Sequence, residues 1–137
     1  MSKPSVLFVC IENSNRSQMA EAFARIHGGD RIEAHSAGSK PSGKVNPRAI
    51  QFMAEKGYDL AVHGSKSLEP FNNTHITVAV TMGCGDYCPL VKADRREDWN
   101  IPDPKDLPDE EFRKIRDLIE DKVKALLASL GVSGGKA

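Results

Sequence analysis

The sequence predicts an α/β domain with a parallel sheet, and three observations carry that expectation. Short apolar runs rich in β-formers alternate with segments of helical periodicity. The first run, Val6-Leu7-Phe8-Val9, is apolar throughout, the pattern of a strand buried on both faces. The helical segments are punctuated by Pro47 at a start and by Gly28-Gly29, Gly57 and Gly131 at stops. Sheets of this class bind ligands where strand ends meet helix starts.

Each element follows in order. The Val6–Val9 run comes after Pro4 and reads as a buried strand. From Ser17 to about His27, Ala20, Phe23, Ala24 and His27 fall on one helical face, and Gly28-Gly29 stops the helix. Arg31 to His35 reads as a second strand. Pro47 opens a helix through Ala49, Ile50, Met53 and Ala54, closed by Gly57. Ile76 to Thr81 alternates β-branched and small residues and reads as a strand. The longest helix runs from about Leu107 to Leu130, with Phe112, Ile115, Leu118, Ile119, Val123, Leu126, Leu127 and Leu130 on its apolar face. Residues 1–130 are thus expected to form a single domain, and residues 131–137, GVSGGKA, a flexible tail.

Composition narrows the function classes. A chain of 137 residues can bury a core without disulfides or a structural metal. Lys+Arg and Asp+Glu are both 19, and the pI of 6.9 offers no basic face for a nucleic-acid partner. No apolar run approaches the roughly 20 residues of a membrane span. The start, MSKPSVLFVC, is too short and too strand-like for a signal peptide. The expectation is a soluble, cytoplasmic monomer without membrane partner, metal or cofactor. Three cysteines cannot all pair, which in a reducing cytoplasm points to reactive thiols or metal ligands.

The first strand-to-helix turn carries the chemistry. It reads Cys10-Ile11-Glu12-Asn13-Ser14-Asn15-Arg16-Ser17. The five residues between Cys10 and Arg16 let the loop curl so that backbone N–H groups from Asn13, Ser14, Asn15, Arg16 and Ser17 converge on one tetrahedral oxyanion. The helix start adds partial positive charge. Arg16 can grip two oxygens as a fork. The same field favours the Cys10 thiolate, and Ser17 can donate a hydrogen bond to it. Asn13, with Ser14, can hold the loop curved through side-chain to backbone bonds. The plain alternative is a buried strand-end cysteine followed by a solvated arginine.

A second cysteine segment, Thr81-Met82-Gly83-Cys84-Gly85-Asp86-Tyr87-Cys88-Pro89, follows the strand that ends at Thr81. Glycines flank Cys84 and leave it mobile. Three readings are open: a redox pair, a zinc site that lacks two nearby ligands, or two small buried residues. The histidines at 27, 35, 63 and 75 stand singly and receive no catalytic role. Trp99 reads as a packing residue, and Arg95-Arg96 with the acids around them as solvated surface.

Val9-Cys10, Asn13-Ser14 and Arg16-Ser17-Gln18-Met19-Ala20-Glu21, then Ser36-Ala37-Gly38, Val45-Asn46-Pro47 and Asp103-Pro104, resemble the low-molecular-weight protein tyrosine phosphatase fold. More closely they resemble the thioredoxin-coupled arsenate reductases built on it, over residues 5 to about 130. The resemblance implies a four-stranded parallel sheet flanked by helices, Cys10 as nucleophile, Arg16 as anion clamp and Asp103 as general acid. It implies that Cys84 and Cys88 resolve the arsenate adduct in turn, with thioredoxin as electron donor. Alternatives are a phosphotyrosine phosphatase, or a reductase recycled by glutathione with glutaredoxin, or by mycothiol. Asp103 is followed by Pro104-Lys105 rather than by tyrosines, which favours a small inorganic anion such as arsenate, with phosphate and sulfate as mimics. Glu12 stands where the family has Gly and is expected to point outward; Asn15 stands where it often has Cys. Related reductases place Asn13, Glu21 and Ser36 around a potassium ion completed by an acidic residue near position 66. Here that neighbourhood holds Lys66, expected to replace the ion and pair with Glu21.

Overall fold

The computed structural model describes residues 3–10, 15–38, 40, 42–67, 69–71, 74–82 and 92–132. Four strands, β1 (Ser5–Val9), β2 (Glu33–Ala37), β3 (His75–Thr81) and β4 (Lys92–Asp98), form one parallel sheet in the order β2-β1-β3-β4. Three helices, α1 (Arg16–Gly28), α2 (Pro47–Ala54) and α3 (Asp109–Ser129), pack against it.

The strand alternation explains the layering. Val6 and Phe8 point into the larger cluster, which draws on all three helices: Met19 and Phe23 from α1, Phe52 and Met53 from α2, Phe112, Ile119 and Leu127 from α3. Leu7 and Val9 point the other way, into a smaller cluster with Ala37, Ile76 and Ala79, against which Phe71 packs. Strand β1 is therefore buried on both faces, as its unbroken apolar run requires.

The topology places the site. Strand β1 lies between β2 and β3, so the chain winds outward to β2 and then returns past β1 to β3. Loops leave the sheet in opposite senses at such a reversal and open a crevice beyond the strand ends. Val9 pairs with Thr81, and Met82 N–H donates to the Val9 carbonyl at 3.1 Å. The turn after β1 and the segment after β3 therefore start side by side.

Most boundaries match the sequence expectation within two residues. Helix α1 begins at Arg16, and its end is turned by Gly29 at φ +53°, a conformation glycine adopts without strain. A 3-10 turn over Gly29–Arg31 then delays the second strand, so it runs Glu33–Ala37 rather than Arg31–His35. Asn46 caps α2 by accepting from Arg48 N–H at 2.8 Å, with Pro47 at the first helical position.

One expectation is corrected. The residues around Arg95-Arg96 are not merely solvated surface but the edge strand β4, whose residues alternate between half-buried and exposed. Arg95 Nε donates to Glu97 at 2.9 Å, and Trp99 Nε1 donates to the same carboxylate at 2.7 Å. Charges along an edge discourage pairing with another chain. After α3, Val132 is buried and its N–H donates to the Leu127 carbonyl at 2.8 Å. No helix among the described residues is long and apolar enough to cross a membrane.

Candidate active site

Cys10 sits at the carboxyl end of β1, 3% exposed, its N–H donating to the Ala37 carbonyl at 3.3 Å. Its Sγ lies 2.9 Å from Ser17 Oγ, and Ser17 is fully buried in the first turn of α1. The hydroxyl can donate to a thiolate there, as the sequence anticipates. Burial of both groups keeps that bond from being exchanged for water.

Arg16 is 8% exposed, and a buried guanidinium must be paired. Nη1 donates to the Met82 carbonyl at 3.1 Å and to the Ile101 carbonyl at 2.7 Å. Nη2 lies 3.9 Å from Asp103 Oδ2. One side of the fork thus ties the end of β3 to the segment before Asp103. Nε, on the other side, is buried without a hydrogen-bond partner. That edge can take an oxyanion as a fork.

Asp103 reaches the site from a loop 88 positions away. Its Oδ1 accepts from Asn15 Nδ2 at 3.3 Å and from Lys105 N–H at 3.1 Å, which leaves Oδ2 on the Arg16 side. Its side chain is 41% exposed, so it stands at the mouth rather than the floor. Trp99 is buried with its ring 5.8 Å from that of Phe8, the packing role expected of it.

The structure thus brings together Cys10, Asn15, Arg16, Ser17 and Asp103. Glu12, Asn13, Ser14, Cys84 and Cys88 lie outside the described residues. Met82, just ahead of Cys84 in the chain, lies beside the exit of β1.

Behind this cluster lies a polar network. Ser36 Oγ donates to Glu21 Oε1 at 2.6 Å, Arg25 Nε to Glu21 Oε2 at 2.9 Å, and Lys66 Nζ lies 3.5 Å from Oε1. Burial pushes the Glu21 carboxyl up. The Ser36 bond, the charges of Lys66 and His63 and the Arg25 bond outweigh it and hold it below the usual carboxylate range. The expected Lys66–Glu21 pair is present. Among the described residues no cluster of three or more His, Cys, Asp or Glu could hold a metal.

His63 belongs to the same network and was not singled out by sequence. Its Nε2 meets Tyr58 Oη at 2.6 Å and its Nδ1 meets Gln18 Oε1 at 2.9 Å, while Gln18 Nε2 donates to the Gly64 carbonyl at 3.0 Å. Burial pushes His63 down, against the opposing pull of Glu21. The network fixes the first turns of α1, which carry Arg16 and Ser17, against the 58–66 segment. A lone histidine has no local sequence signal for such a role, because its partners come from distant segments.

The family model for low molecular weight phosphotyrosine protein phosphatases matches residues 5–134. Among characterised relatives, a glutaredoxin arsenate reductase of Synechocystis sp. is 38% identical over 128 residues, covering 91% of this chain and 97% of that protein. The solved structure of an arsenate reductase in the phosphate binding state superposes with a TM-score of 0.85 at 38% identity, covering 95% and 99% of the two chains. A thioredoxin-dependent arsenate reductase of Corynebacterium glutamicum superposes with a TM-score of 0.75 at 27% identity, covering 94% of this chain and 62% of that one.

Proposed function

This chain belongs to the low molecular weight phosphotyrosine protein phosphatase family, and we propose that it is a member that reduces arsenate to arsenite. The observation that carries this reading is the buried Cys10 thiol bonded to Ser17 beside the partnerless Nε of Arg16. A nucleophile follows β1 and a forked cation opens α1, and the related arsenate reductases, one of them described in the phosphate binding state, share the architecture.

The steps follow from the positions of the groups. The oxyanion docks on the turn, held by backbone N–H groups and Arg16. The Cys10 thiolate attacks arsenic, and Asp103 protonates the departing oxygen, which leaves as water. The Cys84 thiolate then attacks Cys10 Sγ. The sulfur–arsenic bond breaks, its electron pair stays on arsenic, and arsenite departs with arsenic reduced by two electrons. Cys88 attacks Cys84, releases the Cys10 thiolate and leaves a Cys84–Cys88 disulfide, which an external dithiol reduces by exchange. In support, β1 and β3 are neighbours, so the segment carrying Cys84 starts beside Cys10.

Thioredoxin is the donor this relay suits, since it exchanges directly with a protein disulfide. A glutaredoxin-linked donor is the second reading, favoured by the 38% identity to the Synechocystis enzyme. Arsenate turnover is measured with each donor alone. After a single turnover without donor, mass spectrometry should find Cys84–Cys88 in the wild type and Cys10–Cys84 in Cys88→Ser. Full multiple turnover of Cys88→Ser with thioredoxin would remove the three-thiol relay.

Lys66 gives a further expected result. With its ammonium 3.5 Å from Glu21, potassium should change the rate less than about twofold over matched sodium, because the carboxylate is already neutralised. Steep activation by potassium would contradict the pairing.

A further inference from the structure

Asn15 stands at the N-cap of α1, where an asparagine ordinarily accepts a hydrogen bond from the first helical turn. Its side chain makes no capping bond. Instead Nδ2 donates to Asp103 Oδ1 at 3.3 Å. A carboxylate only accepts, so the nitrogen must face Asp103, and the carboxamide oxygen must point elsewhere. That oxygen is buried, in a residue 4% exposed, and has no hydrogen-bond partner.

Among the described residues only two buried side-chain polar atoms lack a partner: Asn15 Oδ1 and, on the very next residue, Arg16 Nε. Buried polar atoms are nearly always paired, so two exceptions on adjacent residues of the anion turn call for one explanation. One atom is an acceptor and the other a donor. The ligand that satisfies both offers an oxygen to Arg16 and an O–H to Asn15.

We propose that Asn15 reads a proton on the bound oxyanion, and so selects protonated oxyanions such as arsenate and phosphate over sulfate. At neutral pH arsenate and phosphate each keep at least one O–H. Sulfate keeps none, although it matches HPO4²⁻ in charge and in tetrahedral shape. Against sulfate, Asn15 Oδ1 meets a bare oxygen, and two acceptors oppose each other away from water. Asp103 takes part by holding the carboxamide the right way round. Had the amide turned, its nitrogen would face the ligand and the preference would reverse. The proposal deepens the reading above and rests on the Cys10–Arg16 turn being the oxyanion site.

The test is calorimetric titration of inorganic phosphate and of sulfate into the whole chain at mildly alkaline pH, where phosphate is almost wholly HPO4²⁻. The wild type should bind phosphate at least about tenfold more tightly than sulfate, because a site built around an O–H rejects the analogue that lacks it. In Asn15→Ala the ratio should fall to within about twofold, the polar readout being gone. Asp103→Ala frees the carboxamide to turn and should narrow the ratio too. Equal binding by the wild type, or a tenfold ratio surviving in Asn15→Ala, overturns the proposal. Should Asn15→Ala not fold, an unchanged ratio in Asp103→Ala overturns it instead. If neither anion binds and neither shields Cys10 from iodoacetamide, the oxyanion-site reading itself falls. Equal binding with shielding removes only the role of Asn15.

Discussion

Cys10→Ser is expected to lower arsenate reduction by at least about 10⁴-fold, the scale seen when a covalent nucleophile is removed. The alcohol does not ionise near neutral pH, and its oxygen cannot accept the disulfide exchange that releases arsenite. The substitution removes one chemical property and little else. Serine is close to isosteric, the Cys10 N–H still bonds the Ala37 carbonyl, and Arg16 keeps its two carbonyl partners. Phosphate should therefore still bind within a few-fold of the wild type, measured by the same titration. A variant that binds phosphate and turns over nothing locates the loss in the chemistry. One that keeps a tenth of the wild-type rate would show that another group attacks the oxyanion, and would remove the basis of the proposed function.

How much of this was legible in the sequence varies with the range of the interaction. The unit from β1 to α1 was readable because every cue is local: an apolar run, a turn with Cys10 and Arg16 at its ends, then helical periodicity. The Cys10–Ser17 contact is a consequence of that one turn. Strand β4 was not readable, because KADRRED has no apolar alternation. Its strand identity comes from pairing with β3, and its charges belong to an edge. Asp103 could be brought to the site only by resemblance, since no spacing rule spans 88 residues. His63 and Gln18 gave no signal for the same reason. Asn15 was legible as a backbone donor to the oxyanion and as a thiol missing from its usual place, but its side chain gave no signal. Its burial, its failure to cap and its bond to Asp103 exist only once the acid loop folds over the turn.

Arg16→Lys should lower kcat/KM for arsenate by about 10² to 10³-fold, the usual cost of losing one preorganised donor to a developing oxyanion. The reason is geometric rather than a matter of charge. The guanidinium serves two customers at once: Nη1 bonds the carbonyls of Met82 and Ile101, while the edge bearing Nε remains for the anion. A lysine ammonium keeps the positive charge but is a single compact point, and it cannot hold both carbonyls while presenting two parallel N–H groups to a tetrahedral ligand. If Nζ stays on the carbonyls, the anion loses its fork; if it turns to the anion, buried carbonyls are orphaned, at about 1–3 kcal/mol each. Phosphate affinity and thermal stability report on the two branches separately. Weakened phosphate binding with an unchanged midpoint means that the ammonium has stayed on the carbonyls. A lowered midpoint with binding kept means that it has moved to the anion. Both branches cost catalysis, because Asp103 Oδ2 loses its Arg16 neighbour at 3.9 Å and with it the register between acid and clamp. A lysine variant within tenfold of the wild-type kcat/KM, with both other measurements unchanged, would show that charge alone suffices and that the planar fork is not what the turn was built to present.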